Sequence, residues 1–145
     1  MTMSDFDLIN AELAGPTGPR NAFGRDATPG DELTGDIIGA ERRHRTVDGK
    51  PLYWVNRKPS TVEAGSPVID SVLIFQTTEE TDENDDGQRF LRLDTDVKTA
   101  LNQALAAAGV NAVAPGGRLE GFTFLRKATS GGRVYGNGKY LPPSA

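Results

Sequence analysis

The 145 residues carry 16 Lys and Arg against 20 Asp and Glu, a formal net charge of -4, with 37% hydrophobic and 25% charged residues. That length matches one ordinary domain burying roughly two-thirds of its unfolded surface, and the composition is that of a soluble globular chain, not a fibrous or membrane-embedded one. With no cysteine and a single histidine, His44, disulfide frameworks, thiolate nucleophiles, cysteine metal sites and histidine clusters are excluded. No apolar run approaches the roughly 18 residues of a membrane span, and the start MTMSDFDLIN has neither the basic head nor the apolar block of a secretion signal, so a cytoplasmic protein without membrane contact is expected.

Residues 1–30 are rich in Gly, Pro, Asn and Asp and hold no lasting hydrophobic period, which predicts a flexible N-terminal arm with at most one short apolar turn (Phe6, Leu8, Ile9, Leu13). The domain proper is expected over 31–145. Leu33, Gly35 and Ile37 alternate with Thr34, Asp36 and Ile38 in a first strand that runs on to Asp48-Gly49, a two-residue hairpin signal. Leu52 to Val55 returns from that hairpin and ends at the loop RKPSTVEAGSP. Val68 to Thr77 is the most strand-like segment and leads through the polar turn EETDENDDG to a short strand, Gln88 to Leu93.

One helix is predicted. Asp94 or Thr95 caps it, Asp96 favours its positive end, Val97, Leu101, Leu105 and Ala108 form its apolar stripe, and Gly109 marks its C-terminus. Arg118 to Lys127 and Arg133 to Leu141, joined through TSGG, form a closing hairpin. A mainly β chain of five principal strands, with a helix between the third and fourth, has the layout of the oligonucleotide/oligosaccharide-binding (OB) barrel. A small β-sandwich with an added helix is the alternative.

Charge is segregated along the chain. Arg42, Arg43, Arg45, Lys50, Arg57 and Lys58 cluster around the first hairpin, and Arg118, Arg126, Lys127, Arg133 and Lys139 around the last, whereas Glu79, Glu80, Asp82, Glu83, Asp85 and Asp86 share one loop. Aromatic residues interleave with the bases. Lys and Arg tracking phosphates, with aromatic faces stacking bases, is the composition of a single-strand groove. Tyr53 and Trp54 are adjacent, so they point to opposite faces and only one of them can lie on a binding side.

Other motifs fail on spacing. Asp82-x-Asn84-x-Asp86-Gly87 begins like a calcium loop, but its twelfth position is Leu93 where a bidentate Glu is needed, so a solvated acidic turn and no metal are expected. GGRVYGNGK departs from a phosphate loop at Arg133 and Tyr140. His44, within RRHR, has no orienting partner for general-base work, so a phosphate-facing histidine and no catalytic activity are expected.

The run PGDELTGDIIGAERRHRTVDGKPLYWVNRKP, followed by FQT, DDGQR, FLRLD, the helix ALNQALAAAG and GGRLEGFTFLRK, resembles the single-stranded-DNA-binding-like proteins with an OB barrel encoded by phages of actinobacteria. The likeness covers about residues 29 to 140. It implies a protein of the bacterial host cytoplasm that coats single-stranded DNA in phage replication or recombination, without cofactor, with phage or host replication proteins as further partners and a homo-oligomer as one arrangement. The residue assignments rest on charge and aromaticity. Arg42, Arg43, Arg45, Lys50, Arg57, Lys58, Arg92, Arg126, Lys127, Arg133 and Lys139 are the phosphate candidates, and Tyr53, Trp54, Phe90, Tyr135 and Tyr140 the stacking candidates. The rival reading is a phage protein-interaction module, counter-defence or virion accessory, on the same barrel.

Overall fold

A computed structural model describes residues 19–143. Their strands, in chain order, are β1 (Arg20–Asn21), β2 (Glu32–His44), β3 (Thr46–Val47), β4 (Lys50–Pro51), β5 (Tyr53–Val55), β6 (Lys58–Ser60), β7 (Ile69–Gln76), β8 (Gln88–Arg92), β9 (Arg118–Lys127), β10 (Arg133–Gly136) and β11 (Lys139–Leu141). A helix, α1 (Thr95–Ala107), lies between β8 and β9. It is not long and apolar enough to cross a membrane.

The main sheet has seven strands in the order β1-β8-β7-β2-β9-β10, with β11 also on β9. Its length lets β2 serve two neighbours: Glu32 to Asp36 pair with β9, and Asp36 to His44 pair with β7. Register shifts leave one unmatched residue at Ile38 in β2 and at Leu125 in β9, and Glu120 and Gly121 bulge against β2. Such bulges bend strands and raise their twist, and the sheet curls into a half-barrel. Inside the curl lie Leu33, Ile37, Leu73, Phe75, Leu91, Leu119, Phe122 and Phe124, closed by Val97, Ala100, Leu101, Ala104 and Leu105 of α1. This single curled sheet differs from two facing sheets of a sandwich.

The helix ends follow the local signals. Asp94 accepts from the Val97 N–H at 2.9 Å. At the other end Gly109 adopts φ 76°, its N–H donates to the Ala106 carbonyl, and the Val110 N–H donates to that of Leu105. This pair of bonds is the Schellman arrangement. The Asp48-Gly49 hairpin also forms, both residues having positive φ (50° and 78°).

Two parts depart from the sequence reading. Arg57, where the expected loop RKPSTVEAGSP begins, and Asn56 before it hold φ 65° and 50° and turn β5 back into β6, a second hairpin that β-branched residues at those two positions would not accommodate. Residues 20–23, read as part of the arm, are packed. Arg20 and Asn21 pair in parallel with Arg89 and Phe90, and Phe23 is 6% exposed against Phe122 and Tyr135. No pairing joins β8 to β10 among the described residues, and this segment occupies the seam between them. Residues 24–30 of the expected arm are also described, with the Gly30 N–H donating to the Phe124 carbonyl at 2.8 Å, whereas residues 1–18, with Phe6, Leu8, Ile9 and Leu13, lie outside the described residues.

Candidate nucleic-acid interface

Paired residues of antiparallel strands share a face, and alternate residues along a strand return to it. Phe75 pairs with Arg89 and Leu73 with Leu91, which sets the core face. The other face therefore carries Phe90 opposite Ile74, Arg92 opposite Val72, and Arg43 opposite Asp70. The Arg43 guanidinium stands over the Phe90 ring, 5.8 Å from its centroid. Three residues from two strands separated by β7, far apart in sequence, thus come together on one outer surface.

Their charges are not equally free. Arg43 donates to Glu41 at 2.7 Å, and Arg45 forks onto Asp70 at 3.0 and 2.6 Å. The Asp70 carboxyl is held below the usual carboxylate range chiefly by that fork, with a weaker contribution from Arg92. Arg92 itself is exposed and has no carboxylate within salt-bridge distance among the described residues. Exposure without such a partner is shared by Arg42, Lys50, Arg57, Lys58, Arg126, Lys127 and Lys139.

The two small hairpins follow the end of β2, where the Leu52 N–H donates to the Arg45 carbonyl and the Val68 N–H to the Leu52 carbonyl. Trp54 is 43% exposed, whereas Tyr53 is half-buried and meets the His44 ring edge-on at 5.0 Å. Trp54 is accordingly the solvent-facing member of the pair. His44 is half-buried, its Nε2 2.6 Å from the Leu52 carbonyl oxygen, so it ties the hairpins to β2 instead of facing phosphate. A Cβ at Gly65 would overlap the carbonyl oxygen of Trp54. Gly65→Ala is expected to displace the β5–β6 hairpin, shifting Trp54 emission and costing about 1–3 kcal/mol of stability. An unchanged emission spectrum and urea midpoint would refute this.

Three candidates from the last hairpin have other roles. Tyr135 and Tyr140 are 7% and 2% exposed, and both belong to the core. Tyr135 lies against Phe23, Phe122 and Phe124, and the Tyr140 hydroxyl accepts from the Ala114 N–H at 3.0 Å. The break at Asn137, φ 60°, interrupts the alternation so that both rings face inward, and neither is available for stacking. Arg133 donates to the carbonyls of Phe23 and Gly24 at 3.2 and 3.0 Å and covers the Phe124 ring at 4.9 Å. It clasps the seam segment.

The acidic loop is less bare than the sequence suggests. Asp85, whose side chain is fully buried, accepts from Arg89 through both oxygens at 2.8 and 2.7 Å, from the N–H and hydroxyl of Thr81, and from the Gly87 N–H. Its carboxyl is held well below the ordinary range, first by Arg89 and then by the Thr81 N–H. Arg89 also meets Glu79 at 3.0 Å, and Arg20 forks onto Asp82 at 2.8 and 2.9 Å. Asp82 and Asp86 further accept from the backbone of Asn84 and Gln88, so these carboxylates serve the turn, and among the described residues no group of three His, Asp or Glu side chains is placed to hold a metal. Phe23 and the Arg20–Asp82 pair carry no local signal in the sequence. Only the alternation of Arg89 with Phe90 and Leu91 could have placed Arg89 inward.

In comparisons with known proteins, the chain matches no family model, no curated protein and no solved structure.

Proposed function

We propose that this chain is a sequence-tolerant single-stranded-DNA-binding protein without a catalytic step, built on an OB barrel and coating DNA in phage replication or recombination. The strand order β8-β7-β2-β9-β10, with α1 between β8 and β9, supports this reading. In an OB barrel the second and third strands, with the loops joining strands one to two and four to five, form the oligonucleotide surface. Here those strands correspond to β7 and β8, the first loop to residues 45–68, and the second to residues 128–132.

The observation that carries the proposal is the joint placement of Arg43, Phe90 and Arg92 on the outer face of those strands. Lys50, Trp54, Arg57 and Lys58 lie in the first of those loops, and Arg126 and Lys127 border the second. Phosphates would follow the exposed bases while Phe90 and Trp54 stack bases. Arg20 and Arg89, which pair with Asp82, Glu79 and Asp85 of the acidic loop, are not part of this set.

Trp54 is the sole tryptophan, so its fluorescence reports directly. Oligo-dT is expected to quench it at low salt, with affinity falling steeply as salt rises and duplex binding much weaker. Phe90→Ala is expected to cost about 1–3 kcal/mol of binding, and Arg92→Ala to reduce the salt slope by about 0.7. Unchanged Trp54 emission, together with unchanged anisotropy of a labelled oligonucleotide at micromolar protein, would overturn the proposal. The second reading, a protein-interaction module, is favoured by the neutralisation of Arg43 and Arg45 by Glu41 and Asp70 and by exposed Ile38 and Val62. It predicts the absence of any oligonucleotide response.

A further inference from the structure

The outer face around Phe90 has an apolar floor that the free protein keeps covered. On β7, Val72 stands between Glu41 and Arg92, and Ile74 between Gly39 and Phe90, all on that face. Val72 is 3% and Ile74 9% exposed, although neither belongs to the core cluster inside the curl. Arg43 supplies a cover. It starts on β2 and its guanidinium stands over the Phe90 ring of β8, so its side chain spans β7 between them.

One acid holds Arg43 in that position. Glu41 lies two residues earlier on the same strand and therefore on the same face. Its Oε2 accepts from the Arg43 Nε at 2.7 Å and also meets Nη2 of the same guanidinium. A nucleotide offers both of Arg43's contacts in another form, since phosphate takes an arginine fork bidentately and a base stacks on an aromatic face. The two cannot coexist on Phe90 as it stands. A base between ring and guanidinium needs two contact layers of about 3.5 Å each, and the guanidinium carbon is 5.8 Å from the ring centroid.

Resting on the single-strand reading, we infer that Val72, Ile74 and Phe90 form a covered nucleobase site whose lid is Arg43 and whose latch is Glu41. When the strand arrives, a phosphate takes the Arg43 fork from Glu41, the guanidinium leaves the ring, and a base settles on the apolar floor. The acid that neutralises Arg43 in the free protein thus keeps an apolar patch from water until DNA is present. It also lowers affinity, because the strand binds only the fraction of molecules whose lid is open.

A double-mutant cycle tests the latch. Glu41→Gln keeps the shape of the side chain and removes its charge, and it is expected to tighten binding of labelled oligo-dT about threefold, within the range of an exposed ion pair that no longer competes. In an Arg43→Ala background the same change is expected to have no effect, because no lid remains to be released. An equal gain in both backgrounds means that Glu41 acts only as a negative charge near the strand, and no gain in either means that it does not act at all; each result overturns the inference. NMR follows the lid directly. On adding oligo-dT to the parent protein, the Phe90 ring and Arg43 Nε–H resonances are expected to move together, and movement of Phe90 while Arg43 stays fixed also overturns it. Binding of oligo-dT with Glu41 and Arg43 uncoupled removes the lid alone. If neither the parent nor Glu41→Gln binds oligo-dT, the single-strand reading itself falls and the inference falls with it.

Discussion

Arg89→Met is expected to lower the unfolding free energy by about 3 kcal/mol or more, a fall of roughly 10 °C in Tm. The Arg89 side chain is 6% exposed and its partner Asp85 is wholly buried, so methionine keeps the volume but leaves a carboxylate inside without its cation. Removing one member of a buried pair is far costlier than replacing both. Here a double apolar replacement does not restore stability either, because Asp85 also accepts from the N–H groups of Thr81 and Gly87, and these would be orphaned. The pH dependence has a definite sign. A carboxyl held below its ordinary value stabilises the fold at pH above about 4, and this contribution is lost as pH falls through the acid range. The gap between parent and variant is therefore widest near neutrality and narrows below about pH 4. Urea unfolding at pH 7 and pH 3.5 measures both. Equal midpoints at pH 7, or a gap that widens in acid, would contradict the role assigned to the pair.

The second large effect is expected at Phe23. Phe23→Ala removes a ring that meets Phe122 at 6.0 Å and Tyr135 at 5.1 Å inside the core, and such truncations cost about 3–5 kcal/mol. In a free arm the same change would cost within about 0.5 kcal/mol, so the denaturant midpoint separates the two cases cleanly. Phe23→Leu, which keeps much of the volume, is expected to be markedly milder. Arg133→Ala should be coupled to Phe23→Ala in a double-mutant cycle, since Arg133 donates to the Phe23 carbonyl and the segment is held by both contacts. Additive effects would mean that the clasp and the ring act independently.

The mixed legibility of the site has a geometric origin. Arg43, Phe90 and Arg92 were identifiable as candidates by type, and alternation alone puts Phe90 and Arg92 on one face. That Arg43 lies over Phe90 depends on the β2–β7–β8 register, including the unmatched residue at Ile38. One such residue shifts every side chain beyond it to the opposite face. The same effect misplaces Tyr135 and Tyr140. They read as surface aromatics in a basic hairpin, but the unmatched Leu125 and the break at Asn137 turn both into the core.

By itself the sequence determined what near neighbours decide. The cap at Asp94, the apolar stripe of α1, the Gly109 terminus, the Asp48-Gly49 turn and the span of β9 from Arg118 to Lys127 are all set within a few residues of themselves. Composition likewise excluded cysteine chemistry and a histidine cluster. Only the tertiary structure decided which groups meet across the chain: Arg20 with Asp82, Arg133 with the Phe23 carbonyl, Phe23 with Tyr135, and Arg43 with the Phe90 ring. Those contacts join residues separated by 62 and 110 positions in the first two cases, and no local propensity encodes such a meeting. Burial then sets the value of each charge, making Arg89 a core ion-pair partner and leaving Arg92, three residues later, open at the surface.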